Sequence, residues 1–302
     1  MQLGICVPTL NAGDGFIESL RQLTVGTIVP RVLVVDSSSD DNTADLARGA
    51  GFEVVSIARS EFNHGRTRQF AAELLADCEI VAFLTQDALI DSADSLDNLM
   101  NAFGDGEVGA AYGRQLPHVD AGVFGAHARL FNYPEQSEVR AIADIPLRGI
   151  KVAFLSNSFA AYRRDALMTV GGFPANVILS EDMVVGARML LAGWKIAYCA
   201  NATVRHSHDY TISQEFKRYF DIGVFHARES WILKTFGRPE GEGGRFVLSE
   251  LRYLAKRAPW LVPESLIRTA LKYLGYRLGR AEARLPLGIK RNLSMHRQYW
   301  NQ

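Results

Sequence analysis

The sequence lacks the features that mark a secreted, membrane-spanning or nucleic-acid-binding protein. Its cysteines, Cys6, Cys78 and Cys199, are odd in number and widely spaced, which favours reduced thiols over a disulfide framework or a zinc site. No apolar run approaches the roughly 20 residues that a membrane-spanning helix needs, and the N-terminus has no basic segment typical of a signal peptide. With 33 basic and 33 acidic residues, the chain shows no overall bias toward nucleic acid. These absences predict a cytoplasmic protein.

The charge balance does not hold locally. From Arg245 onward there are twelve Lys or Arg and three Glu residues, so this tail carries +9 and residues 1–244 carry −9. The tail contains an apolar stripe formed by Ile267, Ala270, Leu271, Leu274 and Leu278, surrounded by Arg268, Lys272, Arg277, Arg280 and Arg284. Such a helix could lie on an anionic membrane surface. Equally, its stripe could pack on the rest of the chain or on a second copy in a homodimer.

The first 113 residues alternate between short β-branched runs and segments of helical periodicity. The runs predict buried strands at 3–7, 31–35, 53–57, 79–84 and 108–112, and the periodic segments predict helices at 65–76 and 94–103. This alternation predicts an α/β fold with an open, mostly parallel central sheet flanked by helices.

The regular alternation is lost over residues 114–210, and a helical pattern follows. One helix is expected over 180–194, with Ser180 as its N-cap and Gly193 just beyond its end. Thr211 and Gln214 form a capping-box pattern at the start of the helical part. We therefore expect a domain over residues 1–210, with halves at 1–113 and 114–210, and a basic helical extension over 211–302.

Polar clusters follow three of the predicted strands: PTLN at 8–11, DSSSDDNT at 36–43 and TQD at 85–87. Ligands of open α/β sheets collect beyond the carboxyl ends of the strands. Asp36 ends its strand, where it can accept the N3–H of a uracil or thymine ring, and Asp40 lies within reach of a ribose hydroxyl. Asp40, Asp41 and Thr43 could equally cap the following helix. Beside PTLN, a nucleotide pocket is the favoured interpretation.

Three arginines, Arg59, Arg66 and Arg68, flank the start of the helix predicted over 65–76 and are candidates to bind phosphate. A guanidinium matches phosphate oxygens in pairs, and a helix N-terminus offers free N–H groups. Arg66 and Arg68 are two positions apart, so only one of them can face inward.

The TQD cluster offers a single carboxylate, Asp87, to a hard cation that prefers several oxygen ligands. Diphosphate oxygens, water and a histidine from the loop after the last strand, His206 or His208, would complete the coordination of Mg²⁺ or Mn²⁺. Ordinary loop histidines are the alternative. Glu181 and Asp182 open a helix, where acids are usually caps, but one of two adjacent acids could be a general base.

Together these motifs resemble the family 2 glycosyltransferases, inverting enzymes of the GT-A fold that use nucleotide-sugar donors. The resemblance covers roughly residues 1–210. FLTQDA stands where the family has Asp-x-Asp, which leaves Asp87 as the implied metal ligand, with His206, and Thr85 as the departure. SED stands where the family has its Glu-Asp pair and makes Asp182 the implied base, kept ionised by the helix N-terminus. The candidate substrate-binding residues are Pro8, Thr9, Asn11, Asp36, Ser38, Asp40, Arg66, Arg68, Gln86, Asn157 and Glu181.

TQDA with HGRTR upstream is most similar to the rhamnosyltransferase branch, although Gln69 departs from its pattern. That branch uses dTDP-L-rhamnose to build bacterial O-antigen and related polysaccharides, which implies a saccharide or polyprenyl-diphosphate-linked saccharide acceptor. The implied reaction is a single displacement that converts a β-linked donor to an α-rhamnoside. A UDP-hexose donor, or a catalytically inactive nucleotide-sugar-binding protein, is the alternative. A dinucleotide-dependent oxidoreductase is not favoured, because residues 8–16 lack G-x-G-x-x-G.

Overall fold

The computed structural model describes residues 2–13, 15–237 and 241–301, and its centre is one mixed sheet. The strands are β1 Leu3–Thr9, β2 Arg31–Asp36, β3 Glu53–Ser56, β4 Ile80–Leu84, β5 Leu89–Ile90, β6 Val108–Leu116, β7 Glu138–Arg140, β8 Phe159–Arg163 and β9 Lys195–Arg205. Their order across the sheet is β3-β2-β1-β4-β8-β6-β9-β5, and β7 also pairs with β9.

The helices of the described residues surround this sheet and continue beyond it. They are α1 Phe16–Gln22, α2 Thr43–Gly49, α3 His64–Leu74, α4 Ser95–Met100, α5 Val123–Asn132, α6 Ile145–Arg148, α7 Arg164–Thr169, α8 Glu181–Leu191, α9 Ile212–Arg228, α10 Ser230–Phe236, α11 Glu242–Arg257, α12 Val262–Arg280 and α13 Leu287–Leu293. The predicted α/β class with C-terminal helices is confirmed.

The parallel arrangement expected from the sequence holds in one half of the sheet. Strands β3, β2, β1 and β4 pair in parallel. Strand β8 lies between β4 and β6 and is antiparallel to both, while β9 is parallel to β6 and antiparallel to β5 and β7. The second half is therefore mixed, because a strand from the irregular stretch inserts between two strands of the regular one.

Side chains of the central strands enter two hydrophobic cores on opposite faces of the sheet. On β1 and β4, Cys6 and Phe83 belong to one core, and Ile5 and Ala82 belong to the other. Successive side chains of a strand point to opposite faces. Burial on both faces explains why these strands are continuous apolar runs in the sequence.

Helix α8 carries the candidate base, and its two ends differ in how well the sequence predicts them. Gly193 has φ +91°, its N–H bonds Leu190 O at 3.1 Å, and the next N–H bonds Met189 O at 2.9 Å. This is the Schellman ending that the glycine predicts. Ser180 precedes the helix with a left-handed backbone (φ 60°, ψ 37°) and makes no side-chain capping bond. The predicted side-chain cap is therefore wrong, because capping requires an extended N-cap backbone.

The helical part after residue 211 shares a core with the sheet. Thr211 and Gln214 form the predicted capping box at the start of α9. Phe220 of α9 and Trp300 near the C-terminus lie in the same hydrophobic cluster as Phe83 of β4. The division between residues 210 and 211 separates the strands from the later helices, and as a domain boundary it stays a prediction.

Helix α12 packs on α9 through glycines. A β-carbon on Gly279 would lie 2.0 Å from Phe220 O, and one on Gly275 would lie 2.5 Å from Phe216 O. Arg268 is also buried in this contact, with Nη1 2.9 Å from Glu215 Oε2. The buried face of α12 therefore differs from the apolar stripe predicted from the sequence. Among the described residues, no helix has both the length and the apolarity to cross a bilayer.

Candidate active site

The ends of β1 and β2 form one polar edge, where several predicted donor-binding residues lie. Asp36 is buried and accepts hydrogen bonds from Ser39 Oγ at 2.5 Å, Ser39 N at 3.0 Å and Thr9 Oγ1 at 3.4 Å. Pro8 lies partly exposed one residue before Thr9. Because the carboxylate of Asp36 is already bonded within the protein, it shapes this edge as well as being a candidate acceptor for a nucleobase.

The loops that leave this edge hold non-glycine residues in left-handed backbone conformations. Asn11 has φ 49° and Ser38 has φ 56°. Asn11 Oδ1 accepts the N–H of Asp40 at 2.8 Å, and Ser38 Oγ donates to Ile57 O at 2.7 Å. The Asp40 carboxylate pairs with Arg59 and remains largely exposed. Such backbone conformations carry strain and cluster at functional sites, which fits the prediction of a ligand site here.

The carboxylate of Asp41 accepts hydrogen bonds from backbone N–H groups at the start of α2 and in the loop after β1. Its Oδ1 accepts the N–H of Thr43 at 3.0 Å, and its Oδ2 accepts the N–H of Gly13 at 3.2 Å. Asn42, at the N-cap position, makes no side-chain capping bond. Asp41 therefore binds the first N–H of α2 from the position before the N-cap, whereas Asp40 is paired with Arg59.

Gln86 ties the end of β4 to the end of β1. Its Oε1 accepts the N–H of Leu10 at 2.8 Å, and its Nε2 donates to Leu10 O at 3.2 Å. A sugar or ribose hydroxyl would have to replace or share these bonds. In this structure Gln86 positions the turn that carries Asp87 beside the polar edge formed by the ends of β1 and β2.

Asp87, His206 and His208 form a cluster that can hold a metal ion. One ligand atom from each lies within 4.8 Å of the others. His206 Nε2 is 3.4 Å and His208 Nε2 is 3.8 Å from Asp87 Oδ2. The structure therefore brings together both histidines that the sequence offered as alternatives.

The hydrogen bonds behind His206 fix its tautomer. Gln115 Nε2 donates to Ser156 Oγ at 2.8 Å, so Gln115 Oε1 accepts the Nδ1–H of His206 at 2.9 Å. A neutral His206 then turns the lone pair of Nε2 toward Asp87 Oδ2. Two acceptors facing each other at 3.4 Å favour a proton or a metal ion between them, and a second partner that orients the ring is typical of metal-binding histidines.

The charge states favour a metal over a protonated imidazole. Burial lowers the pKa of His206 although Asp87 opposes it, and burial together with His206 lowers the pKa of His208 to about 4. Burial would raise the pKa of Asp87, but the hydrogen bond and charge that a protonated His206 would offer, with a smaller contribution from Thr85, hold that pKa below its ordinary value. At neutral pH the cluster is one carboxylate and two neutral imidazoles, a donor set that suits a divalent cation.

The start of α3, predicted to bind phosphate, is covered by another segment. Asn63 caps the helix through its Oδ1, which accepts the N–H of Arg66 at 3.0 Å, and its Nδ2 donates to Ala175 O at 3.0 Å. A β-carbon on Gly65 would lie 1.8 Å from Pro174 O. This close packing leaves a phosphate little access to the helix end on that side.

Arg68 is the arginine that faces inward, and it pairs with Glu181. Arg68 Nη1 donates to Glu181 Oε1 at 2.6 Å, and both side chains are buried. The same oxygen accepts Asn157 Nδ2 at 3.1 Å, and Asn157 Oδ1 accepts the hydroxyl of Tyr162 at 2.7 Å. Arg68, Glu181 and Asn157 therefore bond to one another instead of presenting free groups to a substrate. Arg66 is exposed.

Asp182 stands beside this network and is partly exposed. Its Oδ2 accepts the N–H of Asn157 at 3.1 Å, and its Oδ1 accepts the N–H of Met183 at 2.8 Å. Burial and the negative charge of Glu181 raise the pKa of Asp182 to about 7. The helix N-terminus is expected to keep this carboxylate ionised, but burial and Glu181 act in the opposite direction and outweigh the N–H bonds. A pKa near neutrality suits a general base.

Sequence reasoning missed Gln115 and the C-terminal contribution to the site. Gln115 lies on β6, which continues four residues past the predicted strand end at 112. Its position just beyond a buried strand could have marked Gln115 as a site residue from the sequence. The ring of His296 packs edge-on against His64, with centroids 5.7 Å apart. No local pattern predicts that contact, because the two residues are far apart in the chain.

The chain is similar to named glycosyltransferases along almost its whole length. It is 46% identical over 303 residues to the O-antigen chain rhamnosyltransferase RfbN of Salmonella typhimurium, covering 100% of this chain and 96% of that protein. It is 47% identical over 299 residues to the O-antigen chain rhamnosyltransferase WbaN of Salmonella anatum, covering 98% of this chain and 95% of that protein.

Solved structures share the fold at lower identity. The mannosyltransferase PcManGT from Pyrobaculum calidifontis, in complex with GDP-Man and Mn²⁺, gives a TM-score of 0.57 at 20% identity over 99% of this chain and 85% of that chain. S. aureus TarS 1–349, in complex with UDP-GlcNAc, gives a TM-score of 0.53 at 19% identity over 94% of this chain and 92% of that chain. These similarities establish the fold alone, and the predicted GT-A fold is confirmed.

Residues 4–171, more than half of the chain, match Glycosyl transferase family 2. The match contains the polar ends of β1, β2 and β4, and the full-length relatives extend over Asp182 and His206 as well. The resemblance predicted from the four motifs is therefore confirmed. The chain belongs to glycosyltransferase family 2 and is a glycosyltransferase.

Proposed function

We propose that the protein transfers L-rhamnose from dTDP-L-rhamnose, with inversion, to a hydroxyl of a saccharide acceptor in bacterial O-antigen synthesis. The observation that carries the proposal is the pairing of a metal-binding cluster after β4 with a near-neutral carboxylate at the start of α8. The names of the full-length relatives support both the sugar and the pathway.

Asp182 is the general base of this proposal. It accepts the proton of the acceptor hydroxyl while that oxygen forms a bond to the anomeric carbon, and the bond from this carbon to the diphosphate breaks on the opposite face. The proton ends on the Asp182 carboxylate, and the electron pair leaves with the diphosphate. A β-linked donor gives an α-linked product.

Glu181 positions this base. Because Arg68 and Asn157 hold Glu181 in place, its charge remains next to Asp182 and keeps the pKa of Asp182 raised. The same network fixes the backbone of Asn157, whose N–H binds one oxygen of Asp182. We assign Glu181 and Asn157 to holding the base, beside their predicted roles in contacting sugar.

Asp87, His206 and His208 would hold a divalent cation, Mg²⁺ or Mn²⁺. A bound cation would supply positive charge to the donor diphosphate. Gln115 keeps His206 in the tautomer that can bind metal, and Gln86 holds the turn of Asp87 against β1.

A donor-turnover assay tests the function. dTDP-L-rhamnose, UDP-glucose and GDP-mannose are each supplied with Mg²⁺, with Mn²⁺ or with excess chelator, and nucleotide release is measured. We expect turnover of dTDP-L-rhamnose that depends on metal. A preference for UDP-glucose would support the alternative hexose donor. Full activity in excess chelator would reject the metal role, and binding without turnover in every condition would support an inactive module.

The outward face of α12 and the segment before it form an apolar surface with few polar interruptions. Its large exposed side chains are Trp260, Leu266, Ile267, Tyr273 and Leu274. Arg277, Arg280 and Arg284 remain exposed beside it, but Arg268 and Lys272, predicted to surround the stripe, are buried with Glu215. The set of cations that could meet a membrane is therefore smaller than the sequence suggests.

We propose that this face rests on the anionic cytoplasmic surface of the inner membrane, where a polyprenyl-diphosphate-linked acceptor would lie. Flotation with anionic and with neutral vesicles tests it. Trp260→Ser and Ile267→Ser should abolish flotation with anionic vesicles, whereas Val119→Ser, at another highly exposed apolar position, should not. If these two variants instead dissociate a homodimer in sedimentation, the face is a contact between copies.

A further inference from the structure

The cations predicted to bind the donor diphosphate are poorly placed for it. Arg68 is buried in its pair with Glu181, and Arg59 is paired with Asp40. Arg66 is exposed on a helix whose start is covered by Pro174 and Ala175. A leaving diphosphate carries several negative charges, so the neutralising groups must be sought elsewhere.

Two other arginines lie next to the metal-binding cluster without a carboxylate partner among the described residues. They are Arg129 on α5 and Arg218 on α9. Arg218 lies over the ring of Tyr210 at 5.7 Å, and the Tyr210 ring is 5.2 Å from that of His208. Arg129 lies over the ring of Tyr133 at 5.8 Å.

Both arginines lie on helices that contact the loop of the metal-binding cluster. Arg129 is one helical turn after Gly125, where a β-carbon would lie 3.0 Å from His208 O, and Gly122 N before the same helix donates to Asp209 Oδ2 at 2.8 Å. The pKa of Tyr133 is raised by burial and responds to Arg129 and Arg218 and also to Asp182. Tyr133 therefore lies within electrostatic reach of both guanidinium groups and of the candidate base.

Convergence of unpaired cations on a metal site is unfavourable unless an anion completes it. Each guanidinium lies over a tyrosine ring, an attraction that does not require its N–H groups as hydrogen-bond donors. Its N–H groups then remain available, in the planar arrangement that matches phosphate oxygens.

We propose that Arg129 and Arg218 bind the diphosphate of the nucleotide-sugar donor and stabilise it as the leaving group. This assignment rests on the proposed transferase function and adds the phosphate-binding residues to it. It also brings α9, a helix of the C-terminal extension, into the donor site.

Calorimetry with thymidine, dTMP and dTDP tests the assignment, with and without Mn²⁺. Arg129→Gln and Arg218→Gln should each weaken dTDP binding roughly 10- to 100-fold, the effect of losing a charged hydrogen bond. Thymidine binding should not change, and dTMP should be affected less than dTDP. A loss of dTDP affinity that persists without Mn²⁺ comes from the missing arginine and not from the metal. Arg218→Lys should recover only part of the affinity, because it restores the charge but not the paired N–H groups.

Arg252→Gln is the matched control, since Arg252 is an exposed arginine on α11 away from these contacts. Arg66→Gln tests the competing location. The inference is overturned if Arg66→Gln weakens dTDP binding while Arg129→Gln and Arg218→Gln do not, or if thymidine loses as much affinity as dTDP. If the wild type prefers UDP or GDP, the thymidine donor is wrong, and the same comparison made with that nucleotide series still decides the role of the arginines.

Discussion

Asp182 should control the pH dependence of transfer. Because burial and Glu181 raise its pKa to about 7, about half of the Asp182 side chains are ionised at pH 7 and about one in a hundred at pH 5. A general base must be ionised, so kcat/KM should rise about tenfold per pH unit up to about pH 7 and then level off. His208, with a pKa of about 4, titrates below this range.

Asp182→Asn removes the basicity and keeps nearly the same shape. The change should lower the rate by roughly 10²- to 10⁴-fold, the usual contribution of a general base, and it should abolish the rise around pH 7. One of the two bonds from the N–H groups of Asn157 and Met183 is lost, because an amide offers only one oxygen. Circular dichroism checks the fold, and calorimetry with dTDP should show unchanged donor affinity.

Glu181→Gln is the variant that tests the cause of the raised pKa. A glutamine Oε1 can still accept Arg68 Nη1 and Asn157 Nδ2, but the negative charge beside Asp182 is gone. The rise in kcat/KM should therefore move to lower pH. Arg68 then lacks its buried counterion, a change that typically costs about 3–5 kcal/mol, so the rates must be measured well below the melting temperature.

Two outcomes would refute this reasoning. If Asp182→Asn retained near-normal turnover while Glu181→Gln lost it, the roles of the two acids would be reversed. If the pH profile of Glu181→Gln matched that of the wild type, the negative charge of Glu181 would not be what raises the pKa of the base.

Three further predictions concern the metal, its supporting residue and the packing of α12. Asp87→Ala should abolish metal-dependent turnover, and Thr85→Asp should strengthen Mn²⁺ binding without donor; unchanged calorimetry in both would exclude this site. Gln115→Leu should weaken Mn²⁺ binding about 10- to 100-fold, because the His206 tautomer is no longer fixed, and full affinity would count against that role. Gly279→Ala should lower the melting temperature strongly, since its β-carbon would lie 2.0 Å from a carbonyl oxygen, whereas Gly288→Ala, with open space around it, should not.

Features set by local chemistry were predictable from the sequence. Buried strands gave continuous β-branched runs, and the polar residues that follow them marked the edge where Asp36 and Asp87 lie. Gly193 predicted the end of α8, because its positive φ and the two bonds around it favour glycine. The assignment of Asp182 as the base, which a local motif implies through the family resemblance, stays a prediction.

Features set by contacts between distant residues were not predictable in the same way. Arg68 and Glu181 are 113 positions apart, and nothing near either one shows that they pair. The sequence did not predict which face of α12 is buried, because the periodicity of its apolar residues indicated a different face. The actual face instead uses Gly275 and Gly279 for close approach and Arg268 for ion pairs with Glu215.

The helices after residue 211 are better understood as part of the active-site structure than as an appendage. Phe220 and Trp300 lie in the hydrophobic cluster that contains Phe83, the strand residue four positions before Asp87. Arg218 lies on the same helix as Phe220, two residues before it. Removing these helices would therefore expose the core beneath the site and remove a donor-binding candidate together with any membrane contact. Point substitutions on the outer face of α12, which leave that core intact, are for this reason the sound way to separate membrane binding from catalysis.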